Sequence, residues 1–393
     1  MKSVKEEKNK EVNLEDVRME IDRIDREILS LFEKRMDCAK QVAEVKKRAG
    51  LPVLNPKREE EILARVEEKA GKLGGYAKVL FSTLMQVSRS FQHDLLGAGK
   101  SLREEIEEAE HRKVQPESGN WRIGCQGVKG AYSHEAARAF FPLGQVSFYP
   151  AWEDVFQAVE RGEIDYGVLP VENSSAGSVS EVYDLLIQYH FSIVGAVDLP
   201  VSHCLAGAGE RIESVRKVYS HPQALAQCSE FIEKYQLEAE AYSNTAAAAE
   251  FVARQGDEGI GAICSPEACE RTGLHMLKKD IQNDRENSTR FVIVSKRMVI
   301  DGGADKISLC FTLPHKTGSL YMVLSQFASH GLNLTKIESR PMTMAGKKFE
   351  YIFYLDFAGS VREPKTCSLL CSLSEELPSF RFLGNYPEIT AGR

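Results

Sequence analysis

From Leu14 onward apolar residues recur at helical spacing: Val17, Ile21, Ile24, Ile28, Leu31, Phe32, Cys38, Ala39, Val42 and Val45. Asn13 suits an N-cap, with Asp16 three residues on as a partial capping box. The pattern predicts one helix of about 33 residues, roughly 50 Å at 1.5 Å per residue. Such a length calls for a coiled-coil-like partner, a second subunit among the candidates. Residues 1–12 are charged and without period, as in a frayed tail. Gly50-Leu51-Pro52 ends the helix, and Asn55-Pro56 starts another with Arg58 and Glu59 in its first turn. A third helix is predicted from about Tyr76 past Leu96, with Ser88 and Gln92 four apart on one face. The plain reading of that pair is an exposed polar face.

The long stripe carries cations. At about 100° per residue, Arg35 and Lys46 fall within roughly 40° of Ile21, and Arg18 about 60° away. A cation facing a core is either paired or holds a ligand. Snorkelling at the edge of the stripe is the plain alternative, strongest for Arg18.

Residues 98–120 read as a charged helical tail and a linker broken by Pro116 and Gly119. Strand-like runs then alternate with helices: 146–149, 166–169, 218–219, 239–242 and 261–264, with helices over 133–141, 152–161, 179–188, 223–235 and 245–254. That alternation predicts a mostly parallel sheet with helices on both faces. The run from Phe191 to Leu205 is too long for one ordinary strand. It is read as a crossover between two lobes, with the return near 280–290 and a cleft between them.

Loops supply candidate chemistry. Gly124 to Ser133 leads a strand into a helix and would favour an anion, but it is not Gly-x-Gly-x-x-Gly, so a dinucleotide site has little support. Pro170-Val171-Glu172-Asn173 ends a strand, and Tyr219-Ser220-His221-Pro222-Gln223 follows another, with Gln227 one turn on. Thr289-Arg290-Phe291 opens a buried-looking strand. Its hydroxyl can donate to a ligand in an adjoining cleft, or simply bond local backbone. After Gly302-Gly303 the pattern changes: 306–313, 318–330, 332–340, 349–357, 363–377 and 380–386 give a βαββαβ order, the ferredoxin-like plan.

Length and composition narrow the classes. A chain of 393 residues holds two or three domains, and 43% hydrophobic with 27% charged residues is ordinary for a soluble protein. A net charge of −7 invites neither nucleic acid nor anionic membrane. Nine cysteines are scattered without metal-binding spacing, so free thiols in a reducing cytoplasm are expected, with no metal and no cofactor. No apolar run approaches the roughly 20 residues that cross a bilayer.

Residues 12–97 resemble the all-helical chorismate mutase family, through Arg18, Arg35, Lys46, Asn55, Arg58, Glu59, Ser88 and Gln92 in order. The resemblance implies that Arg18, Arg35 and Arg58 clamp the substrate's carboxylates, that Lys46 and Gln92 face the ether oxygen, and that Glu59 binds the hydroxyl. It also implies paired chains, Arg18 reaching into the partner's site, with Asn55 and Ser88 contributing to binding. The reaction needs a clamped reactive conformer and donors where negative charge develops, not a nucleophile. Many members carry Asp where Asn55 stands. Asn caps equally well, but a binding contact is in question.

Residues 121–297 resemble prephenate dehydratase through Pro-Val-Glu-Asn, Tyr-Ser-His-Pro-Gln and Thr-Arg-Phe in combination. The resemblance makes Thr289 the key hydroxyl beside the departing group, and lines the cleft with Glu172, Asn173, Ser220 and Gln227, with Arg290 and Phe291 as further binding residues. Asn244 stands where some members have an acid, so no second acid is assigned. Gly318-Ser319-Leu320, Asn333 and Glu338-Ser339-Arg340-Pro341 resemble the phenylalanine-binding segments of an ACT domain. Gly-Ser-Leu-Tyr replaces the frequent Gly-Ala-Leu-Val, and a purely structural dimerisation module is the plain alternative.

Together these identify a member of the bifunctional chorismate mutase/prephenate dehydratase family. The implied plan is a tail (1–12), a three-helix mutase domain (13–97), a linker (98–120), a two-lobed periplasmic-binding-protein-like α/β dehydratase domain (121–300) and an ACT domain (301–393). The implied protein is a cytoplasmic homo-oligomer, dimer or tetramer, acting on chorismate and prephenate with phenylalanine as effector. The rivals are a non-enzymatic sensor and an enzyme of the same fold using arogenate. A prephenate dehydrogenase is disfavoured by the missing dinucleotide fingerprint.

Overall fold

The computed structural model describes residues 13–112, 114, 116–341 and 351–391. The expected tail, and the first two residues of the strand expected from Phe349, lie outside them. The described chain forms two compact units. One draws on residues up to Lys100, Pro314–Gly331 and Ser368–Leu377. The other comprises Ser101–Leu313, Leu332–Cys367 and the segment from Pro378 onward.

In the first unit, helix α1 (Leu14–Ala49) runs 36 residues, with the Asn13 side chain accepting from Glu15 N at 3.2 Å. Gly50 ends it in the left-handed region. Helix α2 (Pro56–Ala70) is capped by Asn55, which accepts from Arg58 N at 3.1 Å. Helix α3 (Gly74–Leu96) follows after one tight turn. A Cβ at Gly74 would lie 2.6 Å from Glu67 O, so the close return of α3 onto α2 depends on glycine there.

The apolar stripe of α1 is largely uncovered within one chain: Leu14 is 60% exposed, Ile21 51% and Leu31 63%. Ala39 and Ala43 are the buried positions of α1. The face of α3 that packs is unusually polar, burying Gln86, Ser88, Arg89, Gln92 and His93 with Met85. Helix Ser319–Ser329 belongs to the same unit, Ser325 Oγ donating to Gln86 Oε1 at 3.0 Å.

The second unit holds the α/β region. Strands Arg122–Gln126, Gln145–Tyr149 and Tyr166–Asn173 pair in parallel, as expected. Strand Ser288–Ser295 then runs antiparallel between Tyr166–Asn173 and Ser192–Pro200. In the second lobe, Lys217–Ser220 pairs in parallel with Glu238–Ala241 and Ile260–Cys264, while Cys204–Gly207 and His275–Lys278 are antiparallel additions. Both sheets are therefore mixed rather than mostly parallel. A crossover strand that returns between lobes must enter its sheet against the local βαβ direction.

The Phe191–Leu205 run does divide between lobes, as Ser192–Pro200 in one sheet and Cys204–Gly207 in the other. A helix over Pro266–Thr272 was not predicted. The expected helix 223–235 is two short helices, Pro222–Gln227 and Ser229–Lys234.

Strands Leu334–Pro341, Tyr351–Ala358, Lys306–Thr312 and Arg381–Tyr386 form an antiparallel sheet in that order, and the chain order with its helices is βαββαβ. Cys310, Tyr354, Leu383 and Tyr386 of this sheet share one core with Phe156, Leu169, Leu186 and Val292 of the first lobe. A last strand, Glu388–Thr390, joins the first-lobe sheet beside Ser192–Pro200, so residues past Tyr386 complete the α/β region. No described helix is long and apolar enough to cross a membrane. None of the nine cysteines is in a disulfide.

Candidate active sites

Two side-chain constellations stand out, one in each unit. In the first, Arg35 reaches from α1 to α3, donating to Leu84 O at 2.7 Å and to Ser88 Oγ. Lys46, near the C-terminus of α1, donates to Val53 O. Burial pushes both cations below their ordinary pKa; for Lys46 the Glu59 carboxylate pulls back up and Arg89 pushes further down. Gln92 is buried, its amide nitrogen donating to Ser88 O at 3.1 Å, and its Oε1 has no partner among the described residues. Glu59 on α2 pairs with Arg89 on α3.

The cations along α1 do not all converge. Arg18 is 61% exposed and pairs with Glu15 at 2.8 Å, about 25 Å along the helix from Arg35 at 1.5 Å per residue. Arg58 points outward to Glu61 at 3.5 Å. Ser88 and Gln92 are both 6% exposed, not the exposed polar face of the plain reading.

The second constellation lines a cleft of about 180 Å³ between the two α/β lobes. Thr289, second in its strand, lies directly opposite Asn173. Asn173 Oδ1 accepts from Ser175 N at 3.1 Å and Ala176 N at 2.9 Å. Its amide orientation is thereby set, and Nδ2 is placed to donate to Thr289 Oγ1 and Asn287 Oδ1, each at 2.9 Å, and to Ser288 O at 3.1 Å. The Thr289 oxygen accepts from within, which leaves its own O–H to donate into the cleft. Gln227 lies across the cleft, hydrogen-bonded at 3.0 Å to His203. His203 also meets Tyr132 Oη at 3.1 Å, and burial holds its pKa below the ordinary value. Tyr132 Oη itself donates to Ser202 O at 2.6 Å. Asn244 lines the same cleft and caps the helix Thr245–Gln255, accepting from Ala247 N at 2.8 Å.

Other expected cleft residues are elsewhere. Successive strand residues face opposite ways, so Glu172 and Arg290 point away from the side taken by Asn173 and Thr289. Arg290 donates to Glu172 at 3.3 Å and forms ion pairs with Asp356 at 3.6 Å and Glu388 at 2.7 Å. Burial works against its charge, but the surrounding carboxylates raise its pKa. Ser220 is fully buried and donates to Ile263 O, and Phe291 is core. A larger hollow of about 740 Å³, lined by Lys129, Arg138 and Glu267 among others, shares no residue with the Thr289 cleft.

Of the expected effector residues, Gly318 caps its helix at φ 84°, where a Cβ would meet nothing within 4 Å. Ser319 and Leu320 form the first turn, and Asn333 O accepts from Ala358 N at 3.3 Å. Glu338 accepts from Ser178 Oγ, and Arg340 pairs with Asp184 at 3.3 Å, both partners in the first lobe. Ser339 and Pro341 lie in the same strand.

Residues 17–93 match the chorismate mutase type II family model, and 123–299 the prephenate dehydratase model. The bifunctional chorismate mutase/prephenate dehydratase of Aquifex aeolicus (strain VF5) is 34% identical over 379 residues, covering 95% of this chain and 98% of that protein. The chain belongs to the bifunctional chorismate mutase/prephenate dehydratase family. Both enzyme activities come with that membership, which removes the non-enzymatic sensor.

Arogenate dehydratase 2 of Petunia hybrida is 39% identical over 294 residues, covering 71% of this chain and 75% of that protein. A prephenate dehydratase from Arthrobacter aurescens, solved in complex with L-Phe, superposes with a TM-score of 0.61 at 28% identity, covering 68% of this chain and 89% of that one.

The sequence reading passed over His203, Arg89 and Glu376. His203 stands alone in Val201-Ser202-His203-Cys204, with no periodic or motif signal beyond its place at the lobe crossover. It also missed Glu135, on the first-lobe helix Tyr132–Phe140. Burial, with Glu267 adding, raises its pKa to about 7, although Ser265 pulls it down. An acid with a raised folded pKa contributes stability that is complete below its unfolded value and lost as pH rises towards the folded one. Wild type should therefore lose about 1–3 kcal/mol between pH 4.5 and 7.5 through this group, a loss that Glu135→Gln removes. Thermal unfolding of both proteins across pH 5–8 should show their Tm values diverging in the variant's favour as pH rises. Parallel curves would exclude this burial effect.

Proposed function

We propose that the chain's two activities serve phenylalanine biosynthesis in the cytoplasm, in an even-numbered homo-oligomer under feedback by phenylalanine. Arg35, Lys46, Glu59, Ser88 and Gln92 form the core of the mutase site. Arg35 clamps a carboxylate, while Lys46 and the second N–H of Gln92 face the ether oxygen as it gains negative charge. Arg18, far along α1, serves the site of a second copy, whose helix would cover the exposed apolar stripe. Arg58 and Asn55 hold the rim.

The dehydratase reading rests above all on one observation, the Asn173 amide donating to Thr289 Oγ1 at 2.9 Å. It leaves the threonine hydroxyl as a donor beside the departing group. The C–CO₂ bond breaks and its electron pair enters the ring. The C–OH bond breaks, and the leaving hydroxide takes a proton to become water. Aromatisation supplies the driving force, and no cofactor is needed. Gln227 and Asn244 bind substrate polar groups across the cleft.

Feedback has a physical route within the second unit. Thr289 faces the cleft, while Arg290, the next residue, is held by Asp356 and Glu388. Glu338 and Arg340 engage Ser178 and Asp184. An effector that shifts the C-terminal sheet would shift the strand that carries the hydroxyl, and coupling of this kind is reciprocal. The Arthrobacter relative's L-Phe supports phenylalanine as that effector. Gly318→Val should raise the phenylalanine needed for half-inhibition at least tenfold, since a β-branched residue is strained at φ 84° and would disturb the free N–H groups of the helix start. Calorimetric titration with phenylalanine checks it, and unaltered binding would place the effector elsewhere.

Arogenate is the second reading, favoured by the Petunia relative. It differs from prephenate by an amine in place of the side-chain keto group. Steady-state turnover of chorismate, prephenate and arogenate, each with and without phenylalanine, tests the whole proposal. Preference for arogenate would replace the dehydratase substrate. Absence of inhibition would remove the feedback.

A further inference from the structure

The packed face of α3 carries an ion cluster that neither family motif explains. Arg89 is one residue past Ser88 and three before Gln92. Its guanidinium bonds Glu59 through Nη1 and Glu376 Oε1 through Nε at 3.0 Å. His93 Nε2 lies 3.2 Å from the same Glu376 oxygen. The side chains are 11% (Arg89), 25% (Glu59) and 9% (Glu376) exposed, so this is not a screened surface pair. Glu376 ends the helix Pro364–Glu376, and Glu375 beside it accepts from Gly99 N at 3.1 Å.

Resting on the mutase reading above, we propose that Arg89 is a positioning residue of the mutase site: it holds the Glu59 carboxylate in place, and is itself held by Glu376 of the C-terminal helix. Glu59 must sit beside a dianionic substrate. Unpaired, its charge would repel that substrate and its side chain would sample other rotamers. Arg89 cancels the charge and fixes the carboxylate with a directed bond. One guanidinium shared by two carboxylates cannot move towards one without weakening its bond to the other. Glu376 therefore limits how closely Arg89 can follow Glu59. The arrangement makes mutase kinetics answer to a residue near the chain's C-terminus, 317 positions from Glu59 by residue number. The pKa directions agree: burial opposes the Arg89 charge, and the two carboxylates more than offset it.

The test is a double-mutant cycle on chorismate turnover in the full chain. Arg89→Ala should lower kcat/KM about 10- to 100-fold, with a raised KM, and Arg89→Lys should recover part of that loss. In a Glu59→Gln background, Arg89→Ala should cost less than about threefold more, because its route of action is already gone. Glu376→Gln, which keeps shape and removes charge, should shift KM several-fold.

Additive losses in the cycle would overturn the positioning role. So would mutase constants unchanged by Arg89→Ala in protein whose circular dichroism is native, even with a lowered Tm, since that is what a merely structural tie predicts. A Glu376→Gln variant with wild-type KM would remove Glu376 from the account. Lys46→Ala separates the two levels. If it leaves mutase turnover intact, the mutase reading itself fails. If it abolishes turnover while Arg89→Ala does not affect it, only the positioning role is lost.

Discussion

Thr289→Val should reduce dehydratase kcat by about 10³-fold while leaving the KM for prephenate within a few-fold. Valine keeps the shape and removes the group that the dehydratase reading places beside the departing hydroxide, and loss of a single such donor typically costs 10²- to 10³-fold. The structure sharpens this expectation. Asn173 Nδ2 stands 2.9 Å from the threonine oxygen as a donor, and a hydroxyl that accepts there can still donate its own hydrogen elsewhere. Thr289→Ser should keep more activity, since serine retains the O–H but loses the methyl that restricts its rotamer. Asn173→Asp should resemble the valine variant, because a carboxylate there would capture the hydroxyl hydrogen. A fall in kcat without a matching rise in KM marks an interaction made in the transition state. Equal rates for wild type and Thr289→Val would return Thr289 to the ordinary role of opening a strand.

Lys46→Ala should lower chorismate turnover by about 10²-fold or more, with dehydratase turnover the internal control. The ammonium donates to Val53 O and keeps further N–H donors, which the mutase reading sets against a developing negative charge. Its pKa is below that of an ordinary lysine because burial disfavours the charge. The protonated form is the donor, so mutase activity should fall on the alkaline side before an ordinary lysine would titrate. That limb should vanish in the alanine variant. An unchanged mutase rate in folded Lys46→Ala protein would remove the assignment.

Much of this was legible because it is local. The cap at Asn13, the apolar stripe and the left-handed Gly50 define α1 without reference to anything distant. Asn55-Pro56 does the same for α2. The over-long Phe191–Leu205 run was readable as a crossover because no single strand accommodates it. Ser88 and Gln92 were only half legible: spacing of four says that they share a face, not which way that face points. The burial of both comes from α1 and α2 packing on α3. The family resemblance implied a cleft position for Glu172 and a binding role for Arg290. Strand alternation, a rule available from sequence, would have sent them to the opposite face from Asn173 and Thr289.

By itself the sequence determined most of the longer helical and strand segments, though not the helix Pro266–Thr272 or the split of 223–235, together with the two family motifs and the residue types that mutase and dehydratase chemistry require. Those depend on period, capping and composition within windows of a few residues. Tertiary structure alone decided that strand Ser288–Ser295 runs antiparallel to both its neighbours, that Glu388–Thr390 returns to the first-lobe sheet, and that His203 stands between Tyr132 and Gln227. It also decided that Arg89 divides its guanidinium between Glu59 and Glu376. Any buried cation must find an anion, but a chain with 57 acidic residues offers many. Which one it meets is set by where packing of the whole fold brings each helix end, and no local pattern encodes that.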